Sequence, residues 1–596
     1  MSGFSTRIQH VLVGSSALAA VFLSGCQPEA PGLGAAGGSV SAGVGLAAPL
    51  SDAEFDALGV DEQYRVVNKL LGTLYSGMPV SEFYDLSSGN ALKNRKDPSF
   101  TLSTLRKQLQ TNLPDEQREQ LDLEIIGDEE AVDDKGNASP VEAMYYFDDN
   151  RPKQMPLARI QHYPLSRNSL SQWMAWHLAN TIMFSPAEEL DSADITDVQN
   201  LFRRLDLSIM QHTGIRSMVA THQRSVQNWR RFRSPEDNTR EMMEIYLGIF
   251  DNDAEVPAAS RACQDLYLTD EQDGYKLAYT DYPNSKSVLV LDKYVLSCGD
   301  FYDVVASHPL LIPRVTSVLV DYFYAGRDTD ERLAITQAIS ATNPKTFEDI
   351  FMTLLFSKSY LLDTERAKSF EESFMGMAKR LDWQPNPDML RGMVSGRGAL
   401  ARTEMAEMGW SSMSFKLGRV SSVPMDSLSF GNYHKAMREY LMLDERRWRV
   451  PLGLKRPDAP TPRPIDPPTA DASTRELAAY KAALKEYDEA VAELNKEERG
   501  AYNLLLVKYE SDAVLYRKVE DMTVSQLTDY LFLTAIQRRA SVEERKDLIR
   551  IYRLNEHLDE DYGNQFARSD HQDDIAVITL DYLSRLPETY FLPRLR

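Results

Sequence analysis

The chain has 596 residues, of which 43% are hydrophobic and 26% charged, and its formal net charge is −22. These values describe an ordinary globular protein of two to four domains, at roughly 150 residues each. They exclude disorder throughout, a collagen-like chain, a coiled-coil rod and a polytopic membrane protein. So acidic a balance also argues against nucleic acid as a partner, because phosphate binding needs a positive field.

The N-terminus reads as an export signal. Arg7 precedes an apolar run from Val11 to Phe22 that is too short to span a bilayer but has the length of a signal-peptide core. The run ends in Leu23-Ser24-Gly25-Cys26, which resembles a bacterial lipobox. The resemblance implies a signal peptide over residues 1–25 and diacylglycerol on the Cys26 thiol, with palmitate among the acyl chains. Gln27 follows, whereas Asp at that position signals inner-membrane retention in Gram-negative lipoproteins, so the outer membrane is the expected destination. Residues 26–50 are rich in Gly, Ala, Ser and Pro without an apolar face, and read as a flexible tether between the lipid anchor and a folded body.

The body, residues 51–455, is expected to be mainly α, a multi-helix assembly carrying a small β-hairpin insertion. Tyr64, Val67, Leu71 and Leu74 step by three and four before Gly77. Residues 86–165 are irregular and acidic, with a short strand pair expected at Leu121–Ile126 and Ala143–Phe147. Trp173, Trp176, Leu178 and Ile182 restore the helical period. Ser234-Pro235-Glu236-Asp237 is a helix start, with Ser234 as cap, Pro235 at the first position and two acids in the positively polarised first turn. That helix runs to Gly248. Val315, Val318, Leu319, Tyr322 and Phe323 form one further apolar stripe, stopped by Gly326. Thr346 caps another, over Phe347–Leu362.

Only two cysteines follow Cys26, namely Cys263 and Cys298. In an oxidising compartment they form a candidate disulfide, with two buried free thiols as the alternative. Between them, Tyr275–Tyr279, the turn residues Pro283-Asn284-Ser285 and Val288–Leu291 read as one β-hairpin, about residues 273–298. Residues 456–472 hold a proline-rich linker that neither helix nor central strand accommodates. Residues 473–596 read as a C-terminal helical extension. It opens with a narrow seam of Leu477, Tyr480, Leu484, Tyr487, Val491 and Leu494, expected to be a helical hairpin packing on its own body, with a partner-binding helix as the alternative.

Signals for chemistry are sparse. No His pair stands at the i, i+4 spacing of a zincin, no Cys-x-x-Cys-His marks a haem, and no P-loop, dinucleotide fingerprint or nucleophile elbow appears. No metal or cofactor is expected. The candidates that remain are His177, His222 and Glu241, with Glu241 or a histidine as acid/base, and an arginine-rich segment. That segment, Arg224 to Arg233, contains Arg224, Arg230, Arg231 and Arg233 interleaved with Trp229 and Phe232. Guanidinium forks of this kind grip carboxylate or phosphate groups, while internal neutralisation by Glu236, Asp237, Glu241 and Glu244 is the plainer expectation.

Several segments together resemble a bacterial exported family, the domain of unknown function 1800. They are Trp176-His177, Arg240-Glu241-Met242-Met243-Glu244-Ile245-Tyr246-Leu247-Gly248, Glu255-Val256-Pro257 with Ala259-Ser260-Arg261, His308-Pro309, and Phe356-Ser357-Lys358-Ser359-Tyr360. The resemblance covers about residues 160–440 and implies a large, helical, exported protein without an assigned activity. Where the family often has a second His after the Trp-His pair, this chain reads Leu178-Ala179-Asn180. The C-terminal stretch from Arg538 to Pro587 is similar to the ends of planctomycete-type cytochrome-associated proteins, without their haem motif.

Two functions are therefore expected from the sequence. The first is a lipid-anchored, non-catalytic binding or assembly component of the cell envelope, with the membrane and an envelope protein as partners. The second is a hydrolase acting on an envelope polymer through a cleft lined by His177, His222, Glu241 and the arginines.

Overall fold

The computed structural model describes residues 45–86, 92–126, 159–183, 195–271, 274–281, 284–381, 473–493, 522–561 and 571–595. Residues 1–25, expected to be a signal peptide, Cys26, most of the expected tether, Ala143–Phe147 and residues 456–472 lie outside the described residues. All described residues belong to one compact unit, Ser41–Arg596, built mainly from α-helices with small two-stranded sheets.

Helix starts follow local chemistry closely. Ser51 and Glu54 form a reciprocal capping box on α1 (Asp52–Asp56), satisfying two N–H groups that the helix cannot pair internally. The last tether residues dock just before it, through Leu50 N–H to the Phe356 carbonyl (2.9 Å) and Lys358 N–H to the Ala48 carbonyl (2.9 Å). On α2 (Val60–Thr73), Tyr64, Val67, Leu70 and Leu71 are all buried, as their spacing requires.

After α3 (Leu102–Leu109) comes α4 (Asp115–Ile126), where the sequence suggested a strand from Leu121. Helix wins because Pro114 accepts from Arg118 N–H across its first turn, and Asp115 and Glu116 sit at its positive end. Ser166 and Ser169 cap each other at the start of α5 (Arg167–Asn180), which packs along α6 (Ile195–Met210) and buries Trp173 and Trp176. Two short helices, α7 (Ile215–Gln223) and α8 (Val226–Arg231), lead into α9 (Pro235–Leu247). Helix α9 starts as expected, with Ser234 Oγ accepting from Asp237 N–H, and stops at Gly248 in the left-handed region at φ 68°.

The lobe after α10 (Val256–Ala262) contains two hairpins where one was expected. Strand β1 (Leu266–Glu271) pairs antiparallel with β2 (Gly274–Tyr279), and β3 (Val288–Val290) pairs with β4 (Lys293–Val295). Each strand thus pairs across a two-residue connection, which costs less chain entropy than the longer loop through Pro283 to Ser285. In the second connection Leu291 and Asp292 both have positive φ, 49° and 60°, and Glu255 holds the Leu291 N–H at 3.0 Å. Asn284 joins the two hairpins to the body, donating to the carbonyls of Ala262 (2.8 Å) and Leu296 (3.0 Å).

Cys263 and Cys298 form a disulfide across a sequence separation of 35 residues, closing this lobe off at its base. By chain entropy such a loop contributes about 4 kcal/mol. A Cys263→Ser/Cys298→Ser protein should therefore lose about that much in urea denaturation, and an unchanged midpoint would contradict a structural role for the bridge.

Helices α11 (Cys298–Ser307), α12 (Leu311–Phe323), α13 (Thr329–Ala341) and α14 (Phe347–Leu355) complete the central core. The stripe expected to run to Leu362 ends earlier, at Leu355, and continues after a break as a wide π-turn, Ser359–Asp363. Ser357 Oγ takes the Tyr360 N–H there, and Tyr324 OH bonds both Ser357 Oγ (2.6 Å) and Ser359 Oγ (3.1 Å). Strand β5 (Arg366–Ala367) precedes α15 (Phe370–Arg380), which crosses α2 where Gly376 and Gly72 let the backbones approach.

Helix α16 (Thr474–Glu493) is exposed along most of its described length, with Leu477 open to solvent and Tyr480, Leu484 and Tyr487 half-buried. By contrast α17 (Val524–Ile536), α18 (Val542–Asp561) and α19 (His571–Ser584) return to the body, with α17 packing on α15. The chain closes with β6 (Phe591–Leu592) antiparallel to β5. Among the described residues no single helix is long and apolar enough to cross a membrane.

Candidate functional site

His177 lies on α5 inside an aromatic box. Its ring stacks on Trp173 (5.4 Å between centroids) and Phe323 (5.1 Å), and meets Tyr322 (4.7 Å) and Phe351 (5.5 Å) edge-on. Burial, helped by the Arg366 charge, pulls its pKa down to about 3, so the ring is neutral at physiological pH. Its Nε2 and the Nε1 of Trp173 are buried without a hydrogen-bond partner among the described residues. A general base needs a basic ring within reach of a proton; this one is a packing element.

Arg366 links that box to a buried polar network beside it. Its guanidinium lies over Tyr322 (4.8 Å) and Phe323 (5.7 Å), and forms a bidentate pair with Glu372, with Nη1–Oε2 at 2.7 Å. Burial alone would pull Arg366 down, but Glu372, Tyr360 and Tyr322 outweigh it and hold it well above its ordinary value. Glu372 also takes the Ser369 N–H (2.7 Å), because Ser369 and Glu372 are the capping box of α15. Tyr360 OH bonds Thr73 Oγ1 (2.6 Å) and accepts from Arg366 (3.2 Å).

Three more buried cations surround the pair, each donating to backbone carbonyls. Lys69 reaches those of Thr364 and Pro593, Lys368 those of Glu588 and Thr589 (3.0 Å), and Arg380 that of Thr534 (2.6 Å) at the C-terminal end of α17. Burial pulls Lys368 down to about 7 and Arg380 down to about 10, and lowers Lys69 strongly. The network thereby straps the C-terminal segment onto the body. Only the Ser369-x-x-Glu372 spacing could have announced part of it.

His222 is buried at the end of α7, in a different environment. Its Nδ1 is 3.2 Å from Arg204 Nη2, and burial with the charges of Arg204 and Arg231 lowers its pKa well below the ordinary value. Arg204 also donates to Gln227 Oε1 (2.8 Å). The fold thus brings His222 and Arg231 into one electrostatic neighbourhood, whereas His177 packs in its own aromatic box. Glu241 lies half-buried on α9.

The arginine segment is spent largely on internal contacts. Arg224 donates to the carbonyls of Ala220 (3.1 Å) and Gly299 (2.7 Å) and pairs with Asp303 (2.6 Å). Arg230, itself buried, stacks on Tyr275 of β2 at 4.4 Å, and Arg233 approaches the same ring at 6.0 Å. Arg231 stacks on Phe232 at 4.5 Å. These contacts anchor the hairpin lobe to α8. The acid that neutralises Arg224 is Asp303 of α11, in place of the following Glu and Asp residues.

The lobe itself carries a surface that sequence reasoning overlooked. Tyr267, Tyr279, Leu289, Tyr294 and Leu296 are all exposed, Tyr279 at 65% and Tyr294 at 77%. Leu289 and Tyr294 face each other across β3 and β4. Strand alternation in 266–268 and 288–290 was the available signal, since every second residue there turns inward. Among the described residues no group of three or more His, Cys, Asp or Glu is placed to hold a metal ion.

Compared with protein-family models, with curated proteins and with solved structures, the chain finds no match.

Proposed function

We propose that this chain is a lipid-anchored protein of the bacterial cell envelope that works by binding or assembling with an envelope protein. One observation carries the reading. Exposed apolar and aromatic side chains stand on both hairpins of the disulfide-closed lobe, at Tyr267, Tyr279, Leu289, Tyr294 and Leu296, with Leu289 and Tyr294 paired on one face. Tyrosine offers large contact area with a polar tip and little entropy to lose, which suits a recognition surface. The packing roles of His177 and of Arg224, Arg230 and Arg233 favour this reading over a cleft enzyme built from those residues.

The address rests on Leu23-Ser24-Gly25-Cys26 and on the disulfide, which suits an oxidising compartment outside the cytoplasm. The resemblance to the domain of unknown function 1800 supports export and helicity and assigns no activity. Metabolic labelling tests the anchor. The wild-type protein should incorporate palmitate and sediment with outer membranes, and Cys26→Ala should lose both properties. Continued labelling of Cys26→Ala would overturn the lipoprotein reading.

A further inference from the structure

We propose that helix α16 (Thr474–Glu493) is a self-association element that pairs, parallel and in register, with α16 of a second copy of this chain. The helix has an apolar stripe and nothing described to bury it. None of its described side chains is buried, and Leu477 is 43% exposed. Leu477 and Leu484 stand at one core position of a heptad and Tyr480 and Tyr487 at the other, alternating steps of three and four along one face. A stripe this narrow and regular, on a helix that stays exposed, is the pattern of a coiled-coil seam.

The helix is held by local devices that leave the stripe unused. Ser473 Oγ accepts from Glu476 N–H (3.3 Å), and Glu476 Oε2 accepts from Ser473 N–H (2.8 Å), a reciprocal cap at its start. Lys485 and Glu489 pair at 3.4 Å on the outer face, away from the seam. Its 20 residues span two full heptads.

The charges beside the stripe select the occupant. Glu476 immediately precedes Leu477, at position g, and Lys481 immediately follows Tyr480, at position e; both are exposed. In a parallel, in-register pair, position g of one helix lies against position e five residues further along the other. Glu476 therefore meets Lys481 of the second copy, twice by symmetry. Both side-chain bonds between Glu476 and Ser473 use Oε2, which leaves Oε1 to face that ammonium. An antiparallel pair that matches leucine layers to tyrosine layers sets Lys481 against Lys481, which repels. The charge pattern of this helix is thus complemented by its own copy. This inference goes beyond the envelope-partner reading and does not rest on it.

Sedimentation velocity of the full-length, detergent-purified protein, together with oxidative cross-linking, tests it. The wild type should show a concentration-dependent dimer. Leu484→Cys should give a disulfide-linked dimer on oxidation, because in-register pairing sets residue 484 against itself, and Lys485→Cys on the outer face should not. Leu484→Lys should weaken association by about hundredfold or more, since each copy loses a seam leucine. Glu476→Lys and Lys481→Glu should each associate poorly alone and well when mixed, because mixing restores both ion pairs. Circular dichroism establishes that the variants fold. A wild type that stays monomeric, a Leu484→Cys protein that does not cross-link, or a dimer that survives Leu484→Lys would overturn the proposal. The first two results would mean that the seam is covered by other residues of its own chain or by a different protein.

Discussion

Replacing Glu372 by Gln should destabilise the protein by about 3–5 kcal/mol, the usual cost of removing one partner from a buried ion pair. The substitution keeps the shape and still accepts the Ser369 N–H, so the capping contact survives and the loss isolates the charge. What remains is the Arg366 charge beside three further buried basic groups, Lys69, Lys368 and Arg380. An Arg366→Met/Glu372→Leu double variant should lose less than Glu372→Gln alone, because it removes the stranded charge as well. Urea denaturation of both proteins checks this. A loss under about 1 kcal/mol for Glu372→Gln, the range of a surface pair, would mean that the pair is solvated.

Acid should unfold the protein through its buried imidazoles. The folded pKa of His177 is about 3, below the ordinary 6.5, so the unfolded chain binds more protons between those values. The stability from the neutral ring is present in full above pH 6.5 and is lost as pH falls toward 3. From pH 6.5 to pH 4 the loss from His177 alone is about 3 kcal/mol, and His222, shifted the same way, adds to it. His177→Phe preserves stacking between Trp173 and Phe323 and should flatten this dependence measurably. Equal acid sensitivity in the variant would contradict the assignment of a neutral, buried His177. Lys368 continues the trend upward: its folded pKa of about 7 lies below the ordinary 10.5, so its contribution to stability rises with pH between those values.

Features governed by near neighbours in the chain were legible in the sequence. The start of α9 at Ser234-Pro235 and its stop at Gly248, the buried stripe on α2 and the mainly helical class all depend on residues within a turn or two. Pairing within the lobe was not legible, because Tyr275–Tyr279 had two acceptable partners and loop closure decided for the nearer one. Cys263 and Cys298 announced their bond only through isolation and compartment.

The polar clusters were the least legible part. Arg204 sits in α6 next to Arg203 and reads as one more surface arginine, yet folding places it against His222 and Gln227, 18 and 23 residues further on. Lys69 and Lys368 likewise acquire partners from the far C-terminus. The tyrosines of the lobe looked like strand formers, and alternation along the strands was the one signal that some of them turn outward.

The central claim is that the exposed aromatic side chains of the disulfide-closed lobe bind an envelope partner. Affinity capture of the lipidated protein from detergent-solubilised envelopes, run beside a Tyr279→Ser/Tyr294→Ser variant, tests it most directly. Both residues are exposed, so the variant should fold normally. The account predicts a stoichiometric partner that follows the wild type and is lost from the variant. A partner retained by the variant, or a wild-type protein that emerges alone, would contradict it.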